Sequence, residues 1–286
     1  MGTVTDFFTL AGRPTKITAR GFGWTHAGRT QPALADIDLV IEPGERVLLC
    51  GDSGSGKSTF LAAIAGVLGS DEEGTRAGEI LLEDSTGAVE EPGHSIPVGL
   101  VLQDPDSQVI SARVGDDIAF GCENLAYPRE EIWRRVAAAK DLVGPFVDMD
   151  FPTERLSGGQ KQRLALAGVI AMGAGVVLLD EPTANLDPAG ARDVVRAVSA
   201  LVEETGATLV VVEHQHTAWE GLLDRAVEIA HGRIVADGPF EQIARRRRVE
   251  ELPQARELGD GAAREGDAAL WTKDLVTRFG PPRTIS

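Results

Sequence analysis

The sequence predicts an α/β fold: a parallel-sheet core covered by helices on both faces, with an antiparallel β segment and an inserted helical segment. Three observations carry that prediction. Apolar runs such as VVLLD (176–180) and TLVVVE (208–213) alternate with helical patterns in the second half, as strands buried on both faces do. A glycine-rich stretch, GDSGSGKS (51–58), lies between an apolar run and a helix rich in Ala and Leu. Between about 112 and 172 helix-type spacing dominates and the alternation stops.

Taken in order, KITARGF, ALADIDLVI and ERVLLC within residues 16–50 read as short strands, with the turn EPGE between the last two. The glycine-rich loop and the helix STFLAAIAGVL follow. GEILLE (78–83) and PVGLVLQ (97–103) are further strands, and REEIWRRVAAAKDLV has the spacing of a helix. VVLLD, a helix from about 188, TLVVVE and RAVEIA (225–230) complete the alternation. The main domain is expected to end near 238, with a helical segment over about 104–172. Residues 239–269 are rich in charge, Ala and Gly and predict a helix running into a flexible linker. The run Arg245–Arg248 reads either as a contact for an anionic partner or, more in keeping with the glutamates that follow, as a solvated face. The last 17 residues, LWTKDLVTRFGPPRTIS, echo the layout of KITARGFGWTHAGRTQPA near the start. Either they begin a second, truncated copy of the same unit or they are an unrelated tail.

Composition narrows the function. With 28 Lys and Arg against 44 Asp and Glu, the net charge is −16, which repels nucleic acid and anionic lipid. Membrane contact is therefore expected as a local dock on another protein. The longest uncharged run, Leu164–Leu179, is shorter than a membrane span and interrupted by Gly168, Gly173 and Gly175, so it reads as a buried helix leading into a core strand. No basic leader with a long apolar stretch opens the sequence, and a soluble, cytoplasmic chain is expected. Cys50 and Cys122 lack metal-ligand spacing, and Cys50 reads as a buried thiol.

The chemistry starts with GDSGSGKS, which fits G-x-x-x-x-G-K-[ST] in the strand-to-helix setting that motif requires. Gly51, Asp52, Ser53, Gly54, Ser55 and Gly56 would wrap backbone N–H groups around phosphate oxygens. Lys57 would place a charge on the β and γ phosphates, Ser58 a hydroxyl on Mg²⁺, and Ser58 and Thr59 lie where the helix dipole acts. VVLLDEP (176–182) supplies the acids: Asp180 for Mg²⁺, directly or through water, and Glu181 to face the attacking water as general base. Those two motifs fit kinases, GTPases and helicases alike. LSGGQ at 156–160 narrows the choice, with Ser157, Gly158, Gly159 and Gln160 opening a helix.

With that third motif the chain resembles the ABC ATPases, P-loop NTPases in which two cassettes pair head to tail, over residues 16 to about 238. The resemblance implies that Ser157, Gly158, Gly159 and Gln160 contact ATP held by the opposite cassette. It implies that Gln103 senses Mg²⁺ and the lytic water while touching a membrane partner. It further implies that Asp187 of ANLD (184–187) lies at the cassette interface and that His214 hydrogen-bonds the γ phosphate. His216 is taken as a surface residue. Trp24 falls where the family has an adenine-stacking aromatic, or else is a core residue of the first strand.

The segment after Gln103 narrows the resemblance. Gln103, Asp104, Pro105, Asp106 and Gln108, then Asp117, Ala119, Phe120, Gly121, Glu123, Asn124 and Leu125, are similar to the energy-coupling factor importers of cobalt, nickel and vitamins. That implies ATP and Mg²⁺ as ligands and a second cassette, identical, different or fused. It also implies a transmembrane coupling subunit, a substrate-binding membrane subunit that selects the cargo, and a place on the cytoplasmic face of the membrane. The acids near Gln103 would suit a basic coupling helix. A conventional importer ATPase remains open, as does a non-transport cassette acting on ribosomes or DNA. The 52-residue gap between Gln103 and LSGGQ and the acidic charge speak against the last.

Overall fold

The structure is a computed structural model, described over residues 13–251 apart from 70–72, 145–146 and 215. Strands β1 (Lys16–His26), β2 (Leu34–Ile41), β4 (Gly74–Glu83) and β5 (Val89–Glu90) form an antiparallel sheet in the order β2-β1-β4-β5. β2 reads LADIDLVI, and Leu34, Ile37, Leu39 and Ile41 are buried while Asp38 and Val40 are exposed. That sheet therefore has one wet face and one dry face.

The second sheet takes β3 (Arg46–Cys50), β6 (Val98–Val101), β7 (Val176–Asp180), β8 (Thr208–Val212), β9 (Arg225–Ala230) and β10 (Arg233–Pro239), ordered β10-β9-β3-β8-β7-β6. All its pairs are parallel except β10 with β9. Every residue of β8 is buried. The two-residue period splits the strands between two cores. Leu48, Val177, Leu179, Leu209 and Val211 face one with the helices, whereas Val47, Leu49, Val176, Leu178, Val210 and Val212 face the antiparallel sheet. Each such aliphatic side chain contributes roughly 1.5–3 kcal/mol through burial, which is why these runs show no polar alternation.

The α-helices among the described residues are α1 (Lys57–Ile64), α2 (Val114–Asn124), α3 (Arg129–Leu142), α4 (Gly158–Met172), α5 (Pro188–Thr205) and α6 (Phe240–Glu251). α2 and α3 pack on α4 and form the helical insertion. α4 ends at Gly173, left-handed at φ 74°, and the chain re-enters the sheet as β7, so Leu164–Leu179 is the buried helix and strand expected. α5 starts on Asp187, whose carboxylate accepts the Gly190 N–H at 2.7 Å, with Pro188 at the first helical position.

Two corrections concern the end of the domain. β10 has no counterpart among the strands read from the sequence, and its burial merely alternates at the sheet edge. Nor does the domain stop near 238: Phe240, Ile243 and Ala244 lie in the core and Arg246 pairs with Glu228, so the first compact unit runs to Arg246. The apolar residues of that short segment are diluted by four arginines, which masks the periodicity. The rest of the expected linker and the echo at 270–286 lie outside the described residues. No helix among the described residues is long and apolar enough to cross a membrane.

Candidate functional site

Parallel pairing decides where the site is. β3, β6, β7 and β8 point the same way in close register, with Val101 beside Leu179, Asp180 beside Val212 and Leu49 beside Val212. Their carboxyl ends therefore deliver the 51–58 loop, Gln103, Asp180–Glu181 and His214 to one edge.

The loop after β3 is specific at its glycines. Gly51 has φ 142°, and a Cβ there would lie 2.1 Å from the Ile229 carbonyl oxygen; Gly56 has φ 108° and would meet the Ala33 carbonyl at 2.6 Å. No other residue fits either place. Gly56 is also the N-cap of α1, which has no side-chain cap, so the first N–H groups of that helix, including those of Ser58 and Thr59, remain for a ligand. Lys57 is 6% exposed, and its Nζ donates to the carbonyl oxygens of Gly51 and Asp52, both at 2.9 Å. Ser53, Gly54, Gly56, Lys57, Ser58 and Thr59 line a cavity of about 550 Å³ that also includes Glu181. Ser55 is buried beneath the loop.

Across that cavity the acids are held by neighbours. Burial pushes the Asp180 carboxyl up, Glu181 adds to the rise, and the hydroxyl of Ser58 and the nearby Lys57 and His214 oppose it. A partly desolvated carboxylate bonded to a hydroxyl is a pair of hard oxygen donors, a set suited to Mg²⁺. Glu181 sits at φ 48°, unusual for a residue with a side chain, and its N–H donates to the Val212 carbonyl at 2.9 Å. The Glu181 carboxylate is engaged at both oxygens: Gln103 Nε2 donates to Oε2 at 2.9 Å and His214 Nε2 lies 3.0 Å from Oε1. Three residues read separately from the sequence thus meet at one carboxylate. Gln103 is itself stapled by its loop. Gln108 accepts from the Leu102 N–H at 2.8 Å and donates to the Leu100 carbonyl at 3.0 Å, and Gln162 of α4 donates to the Leu102 carbonyl at 3.3 Å.

The LSGGQ turn lies apart from the cavity lining among the described residues. Ser157 N-caps α4, its hydroxyl accepting from the Gln160 N–H at 3.3 Å while the Gln160 side chain accepts from the Ser157 N–H at 2.8 Å. Gln160 is thereby committed to its own helix start. Gly158 and Gly159 pack over Leu186 of the ANLD turn.

Trp24 requires a correction. Its ring is 4% exposed and packs against Gly74, where a Cβ would come within 2.2 Å of Cζ2, so neither face is open to a base. The indole N–H donates to His26 Nδ1 at 3.1 Å. The exposed His26, with Arg29, Thr30 and Gln31, lines the cavity opposite the loop. The sequence offered one signal for His26, its place two residues on from Trp24 where a strand returns to the same face. His214 comes two residues after the end of β8; the His216 side chain is outside the described residues.

Residues 34–184 match the model of the ABC transporter domain, about half of the chain. The chain belongs to the ABC transporter family. It is 36% identical over 249 residues to the energy-coupling factor transporter ATP-binding protein EcfA1 of Caldanaerobacter subterraneus, covering 83% of this chain and 86% of that one. It is 37% identical to EcfA1 of Lacticaseibacillus paracasei, covering 79% and 78%. An ABC transporter ATP-binding protein of Methanosarcina acetivorans is 39% identical over 226 residues, but the match spans only 35% of that longer protein. Among solved structures, CbiO1 from Clostridium perfringens, part of the ABC transporter complex CbiONQ, superposes with a TM-score of 0.69 at 30% identity, over 82% of this chain and 92% of that one. The P-loop NTPase fold of ABC type, ATP binding and ATP hydrolysis follow from membership, and the similar proteins include energy-coupling factor ATPases.

Proposed function

We propose that this ABC cassette powers an energy-coupling factor type importer, with membrane subunits docked near Gln103. The observation that carries the proposal is the position of Gln103: its amide reaches the Glu181 carboxylate at 2.9 Å, and its own loop carries exposed apolar side chains. Leu102 and Ile110 on that loop, and Phe120 and Trp133 on α2 and α3, are 37–60% exposed. Exposed apolar groups on a strongly acidic chain suit a protein partner better than nucleic acid. Asp104 and Asp116 are exposed beside them and suit a basic helix, while Asp106 pairs with Lys161 and Asp117 is used internally, accepting from the Ile110 and Ser111 N–H groups at 2.8 Å. The chain would then work as a peripheral subunit on the cytoplasmic face of the membrane.

In the hydrolytic step Glu181 accepts the proton of the attacking water, and Gln103 and His214 hold its carboxylate and the water in place. Lys57 meets the β and γ phosphates on leaving the Gly51 and Asp52 carbonyls. Ser58, Asp180 and Gln103 would hold Mg²⁺, which neutralises phosphate charge when bound. Ser157, Gly158 and Gly159 complete the site of a second cassette, with Asp187 and Leu186 at the seam; Gln160 acts by fixing Ser157. The adenine rests on His26 in place of Trp24.

The test is assembly with the transmembrane subunit in membranes, using Ile110→Asp and Phe120→Asp. Both should lose sedimentation with the membranes while keeping ATP affinity. Unchanged sedimentation, or a parent chain that pellets with ribosomes instead, would refute the importer reading.

A further inference from the structure

Glu213 follows β8 directly and is 3% exposed, an expensive place for a carboxylate. Its partners are two neutral donors. Thr183 Oγ1 donates to Oε2 at 2.6 Å, and the backbone N–H of His214 donates to Oε1 at 3.0 Å. Thr183 is two residues past Glu181, at the start of the turn in which the Leu186 N–H donates to the Thr183 carbonyl. The two loops carrying Glu181 and His214 are thus laced behind those side chains at two points, by Glu181 N–H to Val212 and by Thr183 to Glu213. A strap in this position sets how closely the Glu181 and His214 side chains approach, which is 3.0 Å here.

We infer that Glu213 is a positioning residue for ATP hydrolysis, acting through Thr183 to fix the spacing of Glu181 and His214. The inference rests on the roles given above to those two residues. Misplacing a catalytic group by about 1 Å can cost on the order of a hundredfold in rate, whereas the nucleotide cavity is lined by other residues. Loss of the strap therefore lowers kcat and leaves KM alone. An amide at 213 can keep both contacts, its oxygen accepting from His214 and its NH₂ donating to the Thr183 oxygen.

The experiment measures kcat and KM for ATP and the thermal midpoint of the full chain. Thr183→Val should lower kcat by about tenfold or more with KM within about twofold, and Thr183→Ser should restore it. Glu213→Gln should stay within a few-fold of the parent, and Thr183→Val combined with Glu213→Ala should be no worse than the poorer single variant. If Glu213→Ala does not fold, Thr183→Val and Thr183→Ser decide alone. A folded Thr183→Val chain with parental kcat, or a double variant whose losses multiply, overturns the inference. Glu181→Gln runs alongside: if it hydrolyses ATP normally, the underlying assignment fails as well, and if only Thr183→Val does, the strap alone is wrong.

Discussion

Replacing Glu181 by Gln separates proton transfer from geometry. The carboxylate holds Gln103 Nε2 at 2.9 Å and His214 Nε2 at 3.0 Å. A glutamine at 181 keeps one oxygen to accept from Gln103 Nε2, and its NH₂ group donates to His214 Nε2 in the tautomer that carries its proton on Nδ1. Both contacts survive, the backbone at φ 48° is undisturbed, and the cavity lining changes by one atom. What disappears is an acceptor for the water proton. General-base catalysis supplies about 10²–10⁴ in rate, so kcat should fall by at least a hundredfold, about 2.7 kcal/mol at 1.36 kcal/mol per decade. ATP affinity should change by less than about fivefold, since an exposed, compensated hydrogen bond contributes about 1 kcal/mol or less. Phosphate release under single-turnover conditions, with an equilibrium titration using a fluorescent ATP analogue, measures both. A kcat within threefold of the parent, or an affinity loss that matches the rate loss, would refute the reasoning.

Lys57→Ala should weaken ATP binding by roughly ten- to a hundredfold, because a charge-assisted phosphate contact worth about 1.5–3 kcal/mol is lost; equal affinity in a titration would contradict the role. His26→Ala should weaken ATP about fivefold, from about 1 kcal/mol of base contact, and leave tripolyphosphate affinity unchanged, whereas loss of both would place His26 on the phosphates. Asp180→Asn should raise the thermal midpoint of the nucleotide-free chain at neutral pH and remove the further stabilisation by MgATP. The sign follows from the raised Asp180 pKa: the ionised carboxylate opposes folding above its ordinary value near 3.8 and ceases to do so well below it. Thermal scans from acid to neutral pH should show the gap between variant and parent open as pH rises.

The sequence by itself determined the phosphate loop, the acids after β7 and the LSGGQ helix start, because each is a local pattern whose chemistry depends on neighbouring residues. Gly51 and Gly56 illustrate it: their backbone angles and close carbonyls leave one residue type possible, and the motif records that directly. It also determined the buried parallel strands, since a strand covered on both faces shows an unbroken apolar run. Tertiary structure decided what depends on distance across the sheet. Which carboxylate Gln103 and His214 meet follows from the order β3-β8-β7-β6, and no local pattern encodes strand order. Trp24 takes the core place of its two expected ones because a close approach to Gly74 covers the indole, a contact 50 residues away in sequence. Glu213 reads in the sequence as the polar end of a strand. Only the fold shows it buried against Thr183, because burial of a carboxylate is decided by what packs over it and by the donors that arrive with that packing.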